Sequence, residues 1–206
     1  MIVLHHLNKS RSKRIIWLLE ELGVEYRIEA YQRDAQSNLA PDQLKAIHPL
    51  GKSPVVEHNG RVIAESGAIT EYLCQRYRPD MIPATDSKHY IDYLQWMHFA
   101  ESSAILPLLL KMFVDKDGAK MNMLDQYAQN EVAKVMGFFN DNAGAHFLVD
   151  DTLSGADIMM SFIVDALHRS GALAFFPNLQ SYYDFLAGQA LFQKAESIEA
   201  ELDKTV

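Results

Sequence analysis

The sequence predicts an α/β domain with a small mixed sheet, followed by an all-helical domain. Three observations carry this reading. Apolar spacing over the first 78 residues alternates between strand and helix periods in the order βαβ-α-ββα. Two prolines in Arg78-Pro79-Asp80-Met81-Ile82-Pro83-Ala84-Thr85 then break the helical pattern. Beyond that break no segment reads as a strand, and no internal repeat occurs. The expected division is therefore 1–78, a linker over 79–86, and a helical domain over 87–206.

The elements follow in order. Ile2-Val3-Leu4-His5 is short and apolar, and reads as a strand. The polar run Asn8-Lys9-Ser10-Arg11-Ser12 separates it from Ile15, Leu18, Leu19 and Leu22, whose spacing is helical, with Gly23 as the stop. Tyr26-Arg27-Ile28-Glu29 alternates like a second strand, and Pro41 to Ile47 reads as a short helix or irregular connection. Pro54 has no N–H to pair, so it belongs at an edge or strand entry, and its preceding bond is a candidate cis peptide. Asn59-Gly60 between Val55-Val56 and Val62-Ile63 is a strong hairpin signal, since both residues tolerate positive φ. Ser66 reads as the N-cap of a helix carrying Ile69, Tyr72, Leu73 and Tyr77.

In the second half, Ser87 to Val114 reads as one long helix bent near Pro107. Leu124 to Phe139 marks the next helix, closed by the turn from Asn140 to Gly144. Ser154 with Asp157 three residues on is a capping-box variant opening an apolar helix through Ile158, Met159, Phe162, Ile163 and Ala166. Leu179 to Leu186 and Leu191 to Leu202 suggest two more helices.

Composition narrows the classes of function. The 206 residues are 49% hydrophobic, enough for a substantial core, and the net charge of −8 comes from scattered acids. With no basic run and no aromatic-basic interleaving, nucleic acid and anionic membranes are unexpected partners. No uninterrupted apolar run approaches membrane-spanning length, and Met1 to His6 lacks the features of a signal peptide. Cys74 is the only cysteine, so no intrachain disulfide can form, and a reducing cytoplasmic location is expected. Cys74 continues the spacing of Ile69 and Tyr72, which predicts a buried apolar role. The eight histidines show no metal-ligand spacing, and no metal is expected.

The proline strand has a consequence for binding. Ser53, next to Pro54, keeps its N–H and C=O available, so a small extended peptide can add to the edge as a further strand. The hairpin returns Glu65-Ser66 alongside Pro54. A helix start at Ser66 suits a ligand carboxylate, and Glu65 suits a ligand ammonium.

In this order and spacing, Ser10-Arg11-Ser12, Pro49-Leu50-Gly51-Lys52-Ser53-Pro54, Glu65-Ser66 and Ser154-Gly155-Ala156-Asp157 make the chain resemble a glutathione S-transferase across nearly its whole length. The resemblance implies a thioredoxin-like N-terminal domain before the helical one. The opening Leu4 to Ser12 is similar to bacterial and fungal serine-type members, because no tyrosine precedes the first helix and no cysteine stands there. What the resemblance implies is a cytoplasmic homodimer with glutathione as co-substrate, no metal, and a small, largely apolar electrophile. Detoxification is the role it implies, with peroxide reduction or dehalogenation as related activities. Ser53 would pair with the cysteinyl backbone beside Pro54, Glu65 and Ser66 would hold the γ-glutamyl end, and Lys52 would lie near the glycyl carboxylate.

Activation of the thiol falls to the loop before the first helix. Ser10 is the leading candidate by position, with Ser12 and Asn8 as rivals. Arg11 and Arg14 are expected to be solvated. By the same resemblance, Ile105, Leu109, Met112 and Phe113 are candidates for the second substrate's pocket, and Glu101 for a contact with a partner subunit. The competing reading is a noncatalytic member of the fold, used as a regulatory or assembly module.

Overall fold

A computed structural model describes residues 1–118 and 122–204. The chain divides into two compact units, one of Met1–Ile82 with Ala187–Val206 and one of Pro83–Leu186.

The first unit is built on a four-stranded sheet of β1 (Ile2–Leu7), β2 (Tyr26–Tyr31), β3 (Val55–His58) and β4 (Arg61–Ala64), in spatial order β2-β1-β3-β4. β1 and β2 are parallel and joined through helix α1 (Ser12–Leu22), the crossover that a parallel pair needs. Gly23, at φ 61°, ends α1 by adopting the left-handed conformation that glycine takes without steric cost. The five-residue helix α2 (Gln43–Ile47) leads to the Ser53–Pro54 bond, which is cis. β3 and β4 form the expected hairpin, with Asn59 at φ 50° and Gly60 at φ 75° in its turn. Helix α3 (Ser66–Tyr77) completes the βαβ-α-ββα order.

α1 is buried along almost all its length, from Ser12 to Leu19. Ile15, Ile16, Leu18 and Leu19 are inaccessible together with Leu4, Val56, Ile69 and Leu73. Burying each such side chain favours folding by about 1.5–3 kcal/mol, so this cluster holds sheet and helices together. Cys74 is inaccessible in the same core, and burial pushes its thiol up to about 12, leaving it protonated and inert.

The final helix departs from the expected 87–206 domain. The helix numbered α9 (Ala190–Leu202) belongs to the first unit, where it packs on α1. Trp17 meets Phe192 edge-on at 5.1 Å, Lys13 pairs with Glu196 and Glu199, and Lys194 bonds Glu20 at 2.6 Å. The amphipathic spacing of both helices was legible, but which partner each face meets depends on long-range packing.

The second unit is helical throughout its named elements. α4 (Tyr90–Phe99), a π-helical segment over Ala100–Ala104 and α5 (Ile105–Asp117) run on as one helix. Where the sequence predicts a bend, the structure has a π-helical turn shortly before Pro107. Proline has no N–H for the ladder and its ring crowds the carbonyl four residues back, here that of Ser103, and the wider π turn accommodates both. Residues 87–89 form a turn ahead of the helix, with the N–H of His89 donating to Ser87 Oγ at 3.2 Å. The expectation that no apolar run approaches spanning length needs correction here. Tyr90–Asp117 is, by length and composition, long and apolar enough to cross a membrane, because polar residues scattered along a continuous stretch leave it apolar on average.

α6 (Asn122–Asn142), α7 (Gly155–Arg169) and α8 (Pro177–Ala187) complete this unit. Its core joins Tyr93, Met136, Phe139, Ile158, Met159, Ile163 and Tyr182, all inaccessible. Trp96 and Phe139 contact at 5.3 Å within this aromatic cluster. The capping box at the start of α7 has both of its reciprocal bonds. Asp157 also accepts from the backbone N–H of Leu148 at 2.9 Å and the hydroxyl of Tyr182 at 3.0 Å, so one buried carboxylate ties a loop and two helices. Burial outweighs these bonds and raises its carboxyl to about 6.

Candidate functional site

The candidate residues converge on one end of the sheet in the first unit. The antiparallel register sets Val55 opposite Ala64, which carries Ser53-Pro54 and Glu65-Ser66 to the same end of the hairpin. Next to them β1 ends at Leu7. The backbone N–H of Leu7 is shared between Ser53 Oγ at 3.1 Å and Ser12 Oγ at 3.3 Å, while Ser53 Oγ donates to the carbonyl of His5 at 2.8 Å. The Ser53 side chain thus continues the β1–β3 ladder past the point where Pro54 has no N–H to give. Among the described residues, its own N–H and C=O carry no hydrogen bond. These are the two groups an added extended peptide needs.

β3 is an inner strand, so Pro54 stands at a strand entry and not on an edge strand, and two features of the local sequence fix this entry. Gly51 has φ 58°, and a Cβ there would lie 2.7 Å from the Cγ of Lys45, so glycine permits both the turn and the close approach of α2. Pro54 is buried, whereas Lys52 is exposed.

Glu65 and Ser66 differ from expectation in detail. Ser66 is not the N-cap of α3 but its first residue, and Glu65 occupies the cap position at φ 69°, ψ 116° with no side-chain capping bond. The physical reason is the one-residue connection from Ala64 to Ser66, which leaves Glu65 alone to turn the chain. The Glu65 carbonyl accepts the first helical bond from Ile69 at 2.9 Å. A non-glycine residue in such a conformation stores about 1–3 kcal/mol of strain, and these outliers concentrate at functional sites. Its carboxylate is left exposed.

Ser66 Oγ accepts from Arg14 Nη1 at 3.3 Å. Arg14 is only 1% exposed, which corrects the expectation of a solvated side chain. It lies on the face of α1 turned toward the start of α3, and a buried guanidinium places positive charge beneath the Glu65-Ser66 corner. Its sequence signal was weak, since an arginine among apolar helix residues reads equally well as a snorkelling surface charge.

Geometry separates the three residues of the loop before α1. Asn8 braces the loop, with its side-chain carbonyl accepting from the N–H of Arg33 at 2.9 Å and its backbone carbonyl from Arg33 Nε at 3.2 Å. Ser12 is inaccessible, and its hydroxyl contacts Leu7 N, Leu7 O, His6 Nδ1 and Ser10 Oγ. Ser10 is 6% exposed, accepts from the N–H of Ser12 at 3.2 Å and lies 2.7 Å from Ser12 Oγ. Of the three it alone combines a hydroxyl with open hydrogen-bonding capacity and a position at the start of α1, where unpaired N–H groups and the helix dipole favour negative charge. Sequence reasoning passed over His6, because a histidine inside an apolar strand gives no local signal of the residue it will face.

Elsewhere, Ile105 is 5% exposed and belongs to the core of the helical unit, whereas Met112 and Phe113 are exposed. Among the described residues no group of three or more His, Cys, Asp or Glu side chains is arranged to hold a metal ion.

Comparison with known proteins finds relatives for both parts of the chain. A family model described as "Glutathione S-transferase, N-terminal domain" matches residues 1–75, and one described as "Glutathione S-transferase, C-terminal domain" matches residues 105–190. Glutathione S-transferase 1 of Saccharomyces cerevisiae is 33% identical over 187 residues, covering 79% of each chain. Glutathione S-transferase 3 of Schizosaccharomyces pombe is 44% identical over 110 residues, which is 53% of this chain and 44% of that one. A crystal structure of a glutathione S-transferase from Actinobacillus pleuropneumoniae superposes with a TM-score of 0.86 at 29% identity, covering 100% of this chain and 97% of that chain.

Proposed function

Since this chain belongs to the glutathione S-transferase family, we propose that it binds glutathione at the Ser53 strand entry and activates its thiol for attack on a small, largely apolar electrophile. The observation that carries this reading is the open N–H and C=O of Ser53 at the same sheet end as the Ser10 hydroxyl and the Glu65 carboxylate. A tripeptide with an ammonium, two carboxylates and a thiol matches that set of groups. Ser53 pairs with the cysteinyl backbone, Glu65 and Ser66 hold the γ-glutamyl end, and Lys52 faces the glycyl carboxylate.

The chemistry follows from the thiol. A free thiol has a pKa of about 8.5, and only the thiolate is strongly nucleophilic. A hydrogen bond from Ser10 and the start of α1 stabilise the anion, and each unit by which the pKa falls corresponds to about 1.4 kcal/mol. The sulfur lone pair then forms a bond to the electrophilic carbon, and either the leaving group departs with its electron pair or, at an activated alkene, the π pair shifts to the neighbouring carbon, which takes a proton from solvent. The protein's contribution is thiolate stabilisation and positioning. The working form is a cytoplasmic homodimer, and detoxification, peroxide reduction and dehalogenation are activities the same thiolate supports.

Calorimetric titration with glutathione tests the reading, with saturable binding below millimolar concentration expected. No heat at millimolar glutathione would favour the noncatalytic regulatory or assembly module instead. Glu65→Gly separates binding from stability in one variant. Loss of the carboxylate is expected to weaken glutathione by about tenfold. The strain of about 1–3 kcal/mol is relieved at a glycine entropy cost of about 0.5–1 kcal/mol, so the protein should become more stable by about 1 kcal/mol. Unchanged affinity would remove Glu65 from the binding site.

A further inference from the structure

His6 sits at the inner end of a buried hydrogen-bond chain, and its other nitrogen has nothing to bond. Nδ1 lies 2.8 Å from Ser12 Oγ, which lies 2.7 Å from Ser10 Oγ, whereas Nε2 has no partner among the described residues. The ring is 1% exposed. Burial lowers its pKa to about 4 against the opposing charge of Asp203, so the imidazole is neutral and carries one N–H.

The two tautomers send the serine protons in opposite directions. With the proton on Nε2, a buried N–H is left without an acceptor. Nδ1 then takes the Ser12 hydroxyl proton, and the short Ser10–Ser12 contact can be satisfied only if Ser10 donates inward. With the proton on Nδ1, Ser12 accepts from His6 and from Leu7 N–H, which fills both its lone pairs, and its own proton has two acceptors in reach, Ser10 Oγ at 2.7 Å and the Leu7 carbonyl at 3.2 Å, of which Ser10 is the nearer. Ser10 accepts from the Ser12 hydroxyl and the Ser12 N–H, and keeps its own proton for a further partner. Buried N–H groups without acceptors are rarer than acceptors short of a donor, which favours the second arrangement. Successive donation along such a chain also polarises the last hydroxyl.

We propose that His6, held as the Nδ1–H tautomer, is a positioning residue that works through Ser12 to leave the Ser10 proton directed at the glutathione sulfur. This rests on the assignment of Ser10 as the thiolate donor.

The nitrogen chemical shifts of isotope-labelled His6 in the full-length protein give the tautomer directly, and a proton on Nε2 overturns the proposal. In His6→Leu, Ser10 regains Ser12 as an acceptor, so the pKa of bound glutathione is expected to rise by about one unit. The conjugation rate should then fall about tenfold near neutral pH, recover at alkaline pH, and leave the KM for glutathione within about twofold. His6→Asn keeps a donor near the Nδ1 position and should restore most of the rate. An unchanged pH profile in a folded His6→Leu protein overturns the inference. If Ser10→Ala shifts the thiol pKa and His6→Leu does not, only the role of His6 falls. If neither shifts it, the Ser10 assignment falls too. Should His6→Leu fail to fold, the tautomer measurement on the unaltered protein decides.

Discussion

Ser10→Ala is expected to slow conjugation of glutathione to an activated aryl halide by about 10- to 100-fold at neutral pH, with glutathione affinity nearly unchanged. The range follows from a hydrogen bond to a charged group, worth about 1.5–3 kcal/mol. Affinity is spared because the main-chain groups of Ser53 and the carboxylate of Glu65 are untouched. The sign of the pH effect is definite. Without the donor, the thiol pKa moves up toward its free value of about 8.5, so the thiolate fraction falls at neutral pH and returns as pH rises. The rate deficit should therefore shrink steadily toward pH 9, read as the ratio of kcat/KM for the two proteins. A deficit independent of pH would mean that Ser10 does not act on the thiol, and full turnover would remove it from the mechanism. Ser12→Ala is the informative neighbour, because it takes a hydroxyl from the inaccessible junction where Leu7, His6 and Ser10 meet.

Asp157→Ala is expected to produce the largest loss of stability. The carboxylate accepts from Leu148 N, Ser154 N, Ser154 Oγ and Tyr182 Oη, and Asp157 is inaccessible. Alanine leaves two backbone donors and a buried phenol without their acceptor, together with a small cavity. At about 1–3 kcal/mol for each unsatisfied buried group, discounted for relaxation, the loss is about 4 kcal/mol. For a chain of this size that lowers Tm by about 10 °C. A fall of less than about 2 °C in a calorimetric scan would show that the network is dispensable.

The same residue links stability to pH. Its folded pKa of about 6 lies above the ordinary value of 3.8, so the folded state holds a proton that the unfolded state releases. The resulting stabilisation is fully present below pH 3.8 and is lost as pH rises through 6. Asp157→Asn cannot titrate. The Tm of the unaltered protein minus that of this variant should therefore grow as pH falls from about 7 to about 4, and a constant difference would refute the linkage.

Sequence carried the fold where local chemistry was sufficient. Asn59-Gly60 specified the hairpin through its tolerance of positive φ, Gly23 stopped α1, and Ser154 with Asp157 announced α7. It failed where a partner distant in sequence decides the outcome. The apolar face of α9 was plain, but nothing local says that Phe192 meets Trp17. Ser66 looked like an N-cap because serine commonly is one, and only the one-residue connection from β4 displaced it to the first helical position. In the site, the strand entry at Ser53 was legible from Pro54, and its pairing with Glu65-Ser66 from the Asn59-Gly60 hairpin. The order of roles among Asn8, Ser10 and Ser12 was not, because it depends on Arg33, Leu7 and His6 reaching the loop from other strands and turns.

The return of α9 to α1 also governs how the protein is made. Synthesis delivers residues 1–82 first, yet Trp17, Lys13 and Glu20 meet their partners only when residues 192–199 follow. Until residues 190–202 have emerged, α1 presents an uncovered face, and the candidate site at the end of the sheet rests on an unfinished unit. The helical unit between them, by contrast, is a continuous stretch that can close first. The candidate site over residues 8–66 thus waits on residues 190–202 before its own unit is complete.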